Sequence, residues 1–189
     1  MPAPVAGGAG RAGKFEASAL ATPANGITLV RIAATPVMII LILDVGVSWL
    51  TVLVWVGLAS TDFVDGWVAR RQGATTSGAF LDPLADKFLV LGALGALAAS
   101  GATGWAPVVL IAAREVLISV YRSVVARKGV SVPARPLAKA KTATQDLAIT
   151  LLLVPVIGNH ARWAGRGLLW VAVALALISA AQYLIDSRR

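Results

Sequence analysis

Four carboxylates stand at spacings that let them act together. Asp62 and Asp65 lie in Thr61-Asp62-Phe63-Val64-Asp65-Gly66-Trp67-Val68-Ala69-Arg70. Asp82 and Asp86 lie in Gly78-Ala79-Phe80-Leu81-Asp82-Pro83-Leu84-Ala85-Asp86-Lys87. At 100° per residue, Asp62, Asp65, Gly66 and Ala69 fall on one narrow helical stripe, and Gly78, Asp82 and Asp86 on another. Carboxylates held close repel one another or stay protonated unless cations join them. Hard oxygen donors suit Mg²⁺ or Mn²⁺, and acids this closely grouped suit two ions. Such ions neutralise developing negative charge, and a carboxylate within reach can accept a proton. The small residues on both stripes let a bulky ligand reach the helix backbone. The plainer alternative is an interhelical charge network with Arg70, Arg71 and Lys87, or a proton relay. Neither explains the glycines and alanine on the acidic stripes.

A second, cationic constellation follows. Arg114 and Glu115 interrupt an apolar run, and Arg122 shares a face with Glu115 two turns on. Lys139, Lys141, Thr142 and Gln145 open a later helix. Arginine and lysine gathered at a helix mouth suit a phosphate monoester. The competing explanation makes Arg122, Lys139 and Lys141 membrane-surface anchors; it does not reach Arg114, which lies within the apolar run. His160, the single histidine, has no metal partner at useful spacing and is expected to be solvated. The absence of cysteine excludes a disulfide framework, a thiolate metal site and a cysteine nucleophile.

These residues must be positioned by the elements around them. The chain has 189 residues, 58% hydrophobic and only 14% charged, outside the soluble range. Apolar runs of roughly 18 to 22 residues can cross a ~30 Å hydrocarbon core as helices. The expected fold is therefore an all-α membrane protein with six transmembrane helices, approximately 27–47, 49–68, 80–99, 106–125, 142–157 and 167–185. Residues 1–14 are expected to be a disordered tail before the membrane domain of 15–189, with a short interfacial helix around Phe15 to Leu20. Arg11 and Lys14, Arg70 and Arg71, the Arg127 to Lys141 segment, and Arg188 and Arg189 all fall on one side, with both termini. By the positive-inside rule that side is cytoplasmic. Asp44, Ser100 to Gly104, and Asn159 to Arg166 form the opposite loops, where Arg162 and Arg166 dissent. The net charge of +8 is distributed as topology requires, so no nucleic-acid partner is expected.

At 1.5 Å rise per residue, Asp62 and Asp86 each lie roughly 12 Å in from the basic loop between them. The short Arg70 to Ser77 connection makes the second and third helices antiparallel neighbours, with their acids at the same end. Pro83 reads as a residue of a first helical turn. Trp49, Trp105 and Trp163 mark an aromatic belt at the far boundary, and Gly92 and Gly95 permit close helix packing.

The pattern Asp62-x-x-Asp65-Gly66-x-x-Ala69-Arg70, then Gly78-x-x-x-Asp82-x-x-x-Asp86, resembles the signature of the CDP-alcohol phosphotransferase family. It fixes eight positions within 25 residues. Seven residues separate Arg70 from Gly78, one fewer than the family pattern leads us to expect, which bears on the placement of Gly78. The resemblance implies that an alcohol hydroxyl attacks the lipid-side phosphorus of a CDP-linked donor and releases CMP. It implies that Asp62, Asp65 and Asp82 ligate metal, with Asp86 contributing and serving as general base. Asp62, Gly66, Ala69, Arg70 and Gly78 would bind the cytidine nucleotide. A homodimer in the plasma (inner) membrane, with its active site facing the cytoplasm, is implied as well.

The stretches Ala113 to Ser119, Gly129 to Val132 and Ala138 to Gln145, with Asn25, Thr28, Arg31 and Pro36, resemble the phosphatidylglycerophosphate synthase branch of that family. That implies CDP-diacylglycerol as donor and sn-glycerol 3-phosphate as acceptor. Arg114, Arg122, Lys139 and Lys141 would take the acceptor phosphate, supported by Asn25, Thr28, Arg31, Glu115, Thr142 and Gln145. Transfer onto inositol phosphate or phosphatidylglycerol is the alternative within the family. A divalent-metal or proton-coupled transporter is the alternative outside it, though no inverted repeat and no second acidic cluster supports one.

Overall fold

The computed structural model describes residues 23–72, 76–127, 136–155 and 158–186. Within them, side chains are described except at 23–25, 27, 62–72, 76–82, 122, 126–127, 136–138, 158–159, 161 and 183–186. Six helices follow in order: α1 (Pro23–Asp44), α2 (Trp49–Gln72), α3 (Thr76–Ala99), α4 (Trp105–Arg127), α5 (Pro136–Leu153) and α6 (Gly158–Asp186). Each corresponds to one expected apolar segment, and the described residues contain no strand. The expected tail and interfacial helix lie outside the described residues.

The ends of these helices have local causes. Pro23 opens α1 where a missing N–H costs nothing. Ser48 caps α2: its Oγ accepts from the Thr51 amide at 3.2 Å, and the Thr51 hydroxyl accepts from the Ser48 amide at 3.1 Å. Gly101, at φ +75°, closes α3. The Gly101 amide donates to the Ala98 carbonyl at 3.1 Å and the Ala102 amide to the Leu97 carbonyl at 2.9 Å. Arg166 donates to the Ala102 and Gly101 carbonyls at 2.8 and 3.3 Å. That gives one of the two dissenting cations a local role beside the carboxyl end of a helix.

Three expectations are corrected. Asn159 to Arg166 is not a loop but the first two turns of α6. Gly165 there packs so closely on α5 that an added Cβ would stand 2.9 Å from Leu152 Cγ. Helix α5 begins at Pro136 and ends at Leu153, earlier at both ends than expected, because Pro136 can start a helix and Pro155 disfavours helix at the residue before it. Pro83 lies inside α3, which starts at Thr76, so the proline removes a helical hydrogen bond one residue after Asp82.

The core joins all six helices through residues that include Met38, Ile42, Trp55, Leu89, Leu94, Leu97, Ile111, Ile149, Leu152 and Leu169. Helix α1 packs against both α2 and α3, and α5 does the same, so these two helices are the principal link between the acid-bearing elements among the described residues. Gly92 faces α1, with its missing Cβ 3.0 Å from Ile39 Cδ1, whereas Gly95 meets nothing within 4 Å. The outer faces are apolar: Leu53, Leu117 and Trp163 are each 68–69% exposed. Among the described residues one stretch, Arg162–Gln182, is long and apolar enough to cross a membrane, with 21 residues at mean hydropathy 1.8. A shorter apolar stretch runs from Trp49 to Thr61.

Candidate active site

The acidic motif occupies the last turns of α2 and the first turns of α3. Asp62, Asp65, Gly66, Ala69 and Arg70 are helical residues of α2, and Gly78, Asp82 and Asp86 of α3. Only residues 73–75 separate Gln72 from Thr76, which limits the gap between those helix ends to about 14 Å. Of the eight, Asp86 is the one whose side chain is described: it is half-buried and lines a cavity. The other seven side chains lie outside the described residues, as do those of Asn25 and Arg122.

Helix α1 supports the acidic end of α2. Arg31 is 1% exposed, and its Nε and Nη2 donate to Thr61 Oγ1 at 3.2 and 3.0 Å. Thr61 in turn donates to the Leu58 carbonyl at 2.6 Å. The residue immediately before Asp62 is thus held from two directions. Thr28, one turn earlier on α1, is fully buried.

The Asp86 cavity has a volume of about 160 Å³ and is walled by α3, α4 and α5. A polar belt surrounds it. Glu115 Oε1 accepts from Arg114 Nη1 at 2.8 Å and from the Lys141 ammonium. Lys87 donates to Ser119 Oγ, and Ser119 donates to the Glu115 carbonyl at 2.5 Å. Arg114, 6% exposed, also reaches α6, with Nε on the Ala176 carbonyl at 3.2 Å and Nη2 on Ser179 Oγ at 2.9 Å. Buried charge is tolerable only when paired and hydrogen-bonded, and this belt supplies both.

The cavity brings together Asp86, Arg114, Glu115, Lys141, Thr142 and Gln145, all of which line it. Lys139 is exposed on α5. Sequence reasoning missed three members of the belt. Lys87 was named only as a partner in the alternative charge network, and Ser119 only as the end of the Ala113 to Ser119 stretch. Ser179 is a single polar residue in an apolar helix, and nothing in its spacing points to α4.

Residues 21–178 match the family model described as CDP-alcohol phosphatidyltransferase. The chain belongs to that family. As a member of the CDP-alcohol phosphatidyltransferase family it is an enzyme. It is 38% identical over 165 residues to the CDP-diacylglycerol–glycerol-3-phosphate 3-phosphatidyltransferase of Rickettsia bellii, covering 84% of this chain and 91% of the relative. Proteins of the same name from Bacillus subtilis and Escherichia coli are each 36% identical. The first match covers 84% of this chain and 91% of the relative, the second 86% and 92%. The family match spans both acid-bearing helices and every member of the cavity belt except Ser179.

Proposed function

We propose that this enzyme transfers the phosphatidyl group of CDP-diacylglycerol to sn-glycerol 3-phosphate, giving phosphatidylglycerophosphate and CMP. The observation that carries this reading is the cavity in which the Asp86 carboxylate shares a wall with Lys87, Arg114 and Lys141. A small anionic alcohol needs cations to hold it and a base beside its hydroxyl, and this wall contains both. The names of the similar proteins support the same donor and acceptor. In the proposed step an acceptor oxygen bonds to the lipid-side phosphorus as the bond from that phosphorus to the CMP oxygen breaks. The hydroxyl proton passes to Asp86, and CMP leaves. Lys141 and Arg114, with Lys139 and Arg122 toward the helix mouth, hold the acceptor phosphate. Asp62, Gly66, Ala69, Arg70 and Gly78 bind the nucleotide.

The carboxylate donors of Asp62, Asp65, Asp82 and Asp86 suit hard divalent ions. Mg²⁺ or Mn²⁺, as two ions, would be held there and would neutralise charge on the pyrophosphate. The same proposal places the chain in the plasma (inner) membrane as a multi-pass homodimer, with its site toward the cytoplasm. The apolar outer faces support this, as do Trp49, Trp105 and Trp163, each at least half exposed near the start of α2, α4 and α6. The test is CMP release by purified protein given CDP-diacylglycerol, Mg²⁺ and one acceptor at a time. Glycerol 3-phosphate should support turnover, and inositol phosphate and phosphatidylglycerol should not. CMP with either of those and none with glycerol 3-phosphate overturns the acceptor assignment.

A further inference from the structure

One group on the cavity wall takes no part in the belt. Gln145 lies on α5 one turn beyond Lys141, is 2% exposed, and its Nε2 has no hydrogen-bond partner among the described residues. Buried amide nitrogens are rarely left unpaired, because the lost water contacts are not replaced. The neighbouring polar groups are already engaged: Glu115 accepts from Arg114 and Lys141, and Lys87 donates to Ser119. The missing partner therefore fits a ligand entering the cavity.

Its chemistry follows from the surroundings. An anion is drawn to the lysines one turn and more earlier on α5 rather than to this amide, which carries no charge. A hydroxyl fits better, since it can accept from the amide nitrogen or donate to the amide oxygen whichever way the amide is turned. Spacing agrees. Four residues of helix place Gln145 about 6 Å beyond Lys141 along α5, a span that the carbon chain of a phosphate ester held at Lys141 and its hydrogen bond to the amide can cover together.

We infer that Gln145 is a specificity-determining residue whose amide hydrogen-bonds the non-reacting hydroxyl of a polyol phosphate acceptor. This rests on the acceptor reading proposed above. Phosphate toward Lys139 and Lys141, secondary hydroxyl on Gln145 and reacting hydroxyl toward Asp86 give the acceptor one orientation. A site built to hydrogen-bond a substrate hydroxyl rejects the analogue that lacks it, because its own polar group is then left unpaired.

The test compares glycerol 3-phosphate with 3-hydroxypropyl phosphate, which lacks only the secondary hydroxyl, in the full-length purified enzyme with CDP-diacylglycerol and Mg²⁺. The wild type should favour glycerol 3-phosphate by about tenfold or more in kcat/KM. In Gln145→Met and Gln145→Leu the preference should fall to about twofold or less, through loss with glycerol 3-phosphate alone. The ratio of the two acceptors in one preparation does not depend on its folded fraction. A wild-type ratio near one overturns the inference. So does an unchanged ratio in the variants, or equal loss with both acceptors. A wild type that turns over neither acceptor sinks the acceptor reading itself, which separates that failure from one confined to Gln145.

Discussion

Glu115 of α4 and Lys141 of α5 form an ion pair whose side chains are 9% and 7% exposed, with Arg114 Nη1 on the same carboxylate oxygen. The pair ties two helices together beside Asp86. Removing one member of a buried pair leaves an uncompensated charge, at about 3–5 kcal/mol. Glu115→Gln and Lys141→Met should each lower stability by that order in detergent-solubilised protein. The double variant should lose less than the sum, because the two residues share one interaction. Thermal unfolding of all four proteins checks this, and strict additivity would show the pair to be uncoupled.

Thr61 offers a separate handle on the acidic motif. Thr61→Val keeps the shape but takes the acceptor oxygen from Arg31 Nε and Nη2. The expected cost is about 1–3 kcal/mol. Because Asp62 follows directly, kcat should fall several-fold with KM for the acceptor unchanged. A normal kcat would mean that the Arg31 contact does not position the motif.

Glycine replacements test the packing order. Gly165→Ala places its Cβ 2.9 Å from Leu152 Cγ and 3.2 Å from the Leu152 backbone nitrogen, so α5 and α6 must separate, at about 1–3 kcal/mol. Gly92→Ala meets the movable end of Ile39 at 3.0 Å and should cost less. Gly95→Ala meets nothing within 4 Å and should stabilise its helix by up to about 1 kcal/mol. Melting temperatures should therefore rank Gly95→Ala, Gly92→Ala, Gly165→Ala from highest to lowest.

Asp86→Asn should abolish turnover while leaving nucleotide binding largely intact, because the amide cannot accept the hydroxyl proton. Equilibrium binding of CMP alongside the CMP-release assay separates the two effects. Near-normal turnover removes Asp86 from the role of base.

The six helices were legible because an apolar stretch marks each of them, and boundaries failed where local chemistry overrode hydropathy. Asn159 to Arg166 reads as polar loop, yet it is helical and pressed against Leu152 through Gly165. The Arg114–Glu115 pair was conspicuous as charge inside an apolar segment. That two of its guanidinium nitrogens turn to Ala176 and Ser179 was not, because which helices pair is a tertiary fact with no trace in periodicity. Gln145 was visible as a polar residue after two lysines. Its burial beside Asp86 depends on how α3, α4 and α5 converge.

The proposed reaction moves a phosphatidyl group by means of acid-held divalent ions. Its most direct measurement is CMP and phosphatidylglycerophosphate formed by purified protein from CDP-diacylglycerol and glycerol 3-phosphate, before and after EDTA and after added Mg²⁺. Equal amounts of both products are expected, with none in the presence of chelator and recovery with Mg²⁺. Product formation indifferent to EDTA, or no CMP at any Mg²⁺ concentration, would contradict that proposal.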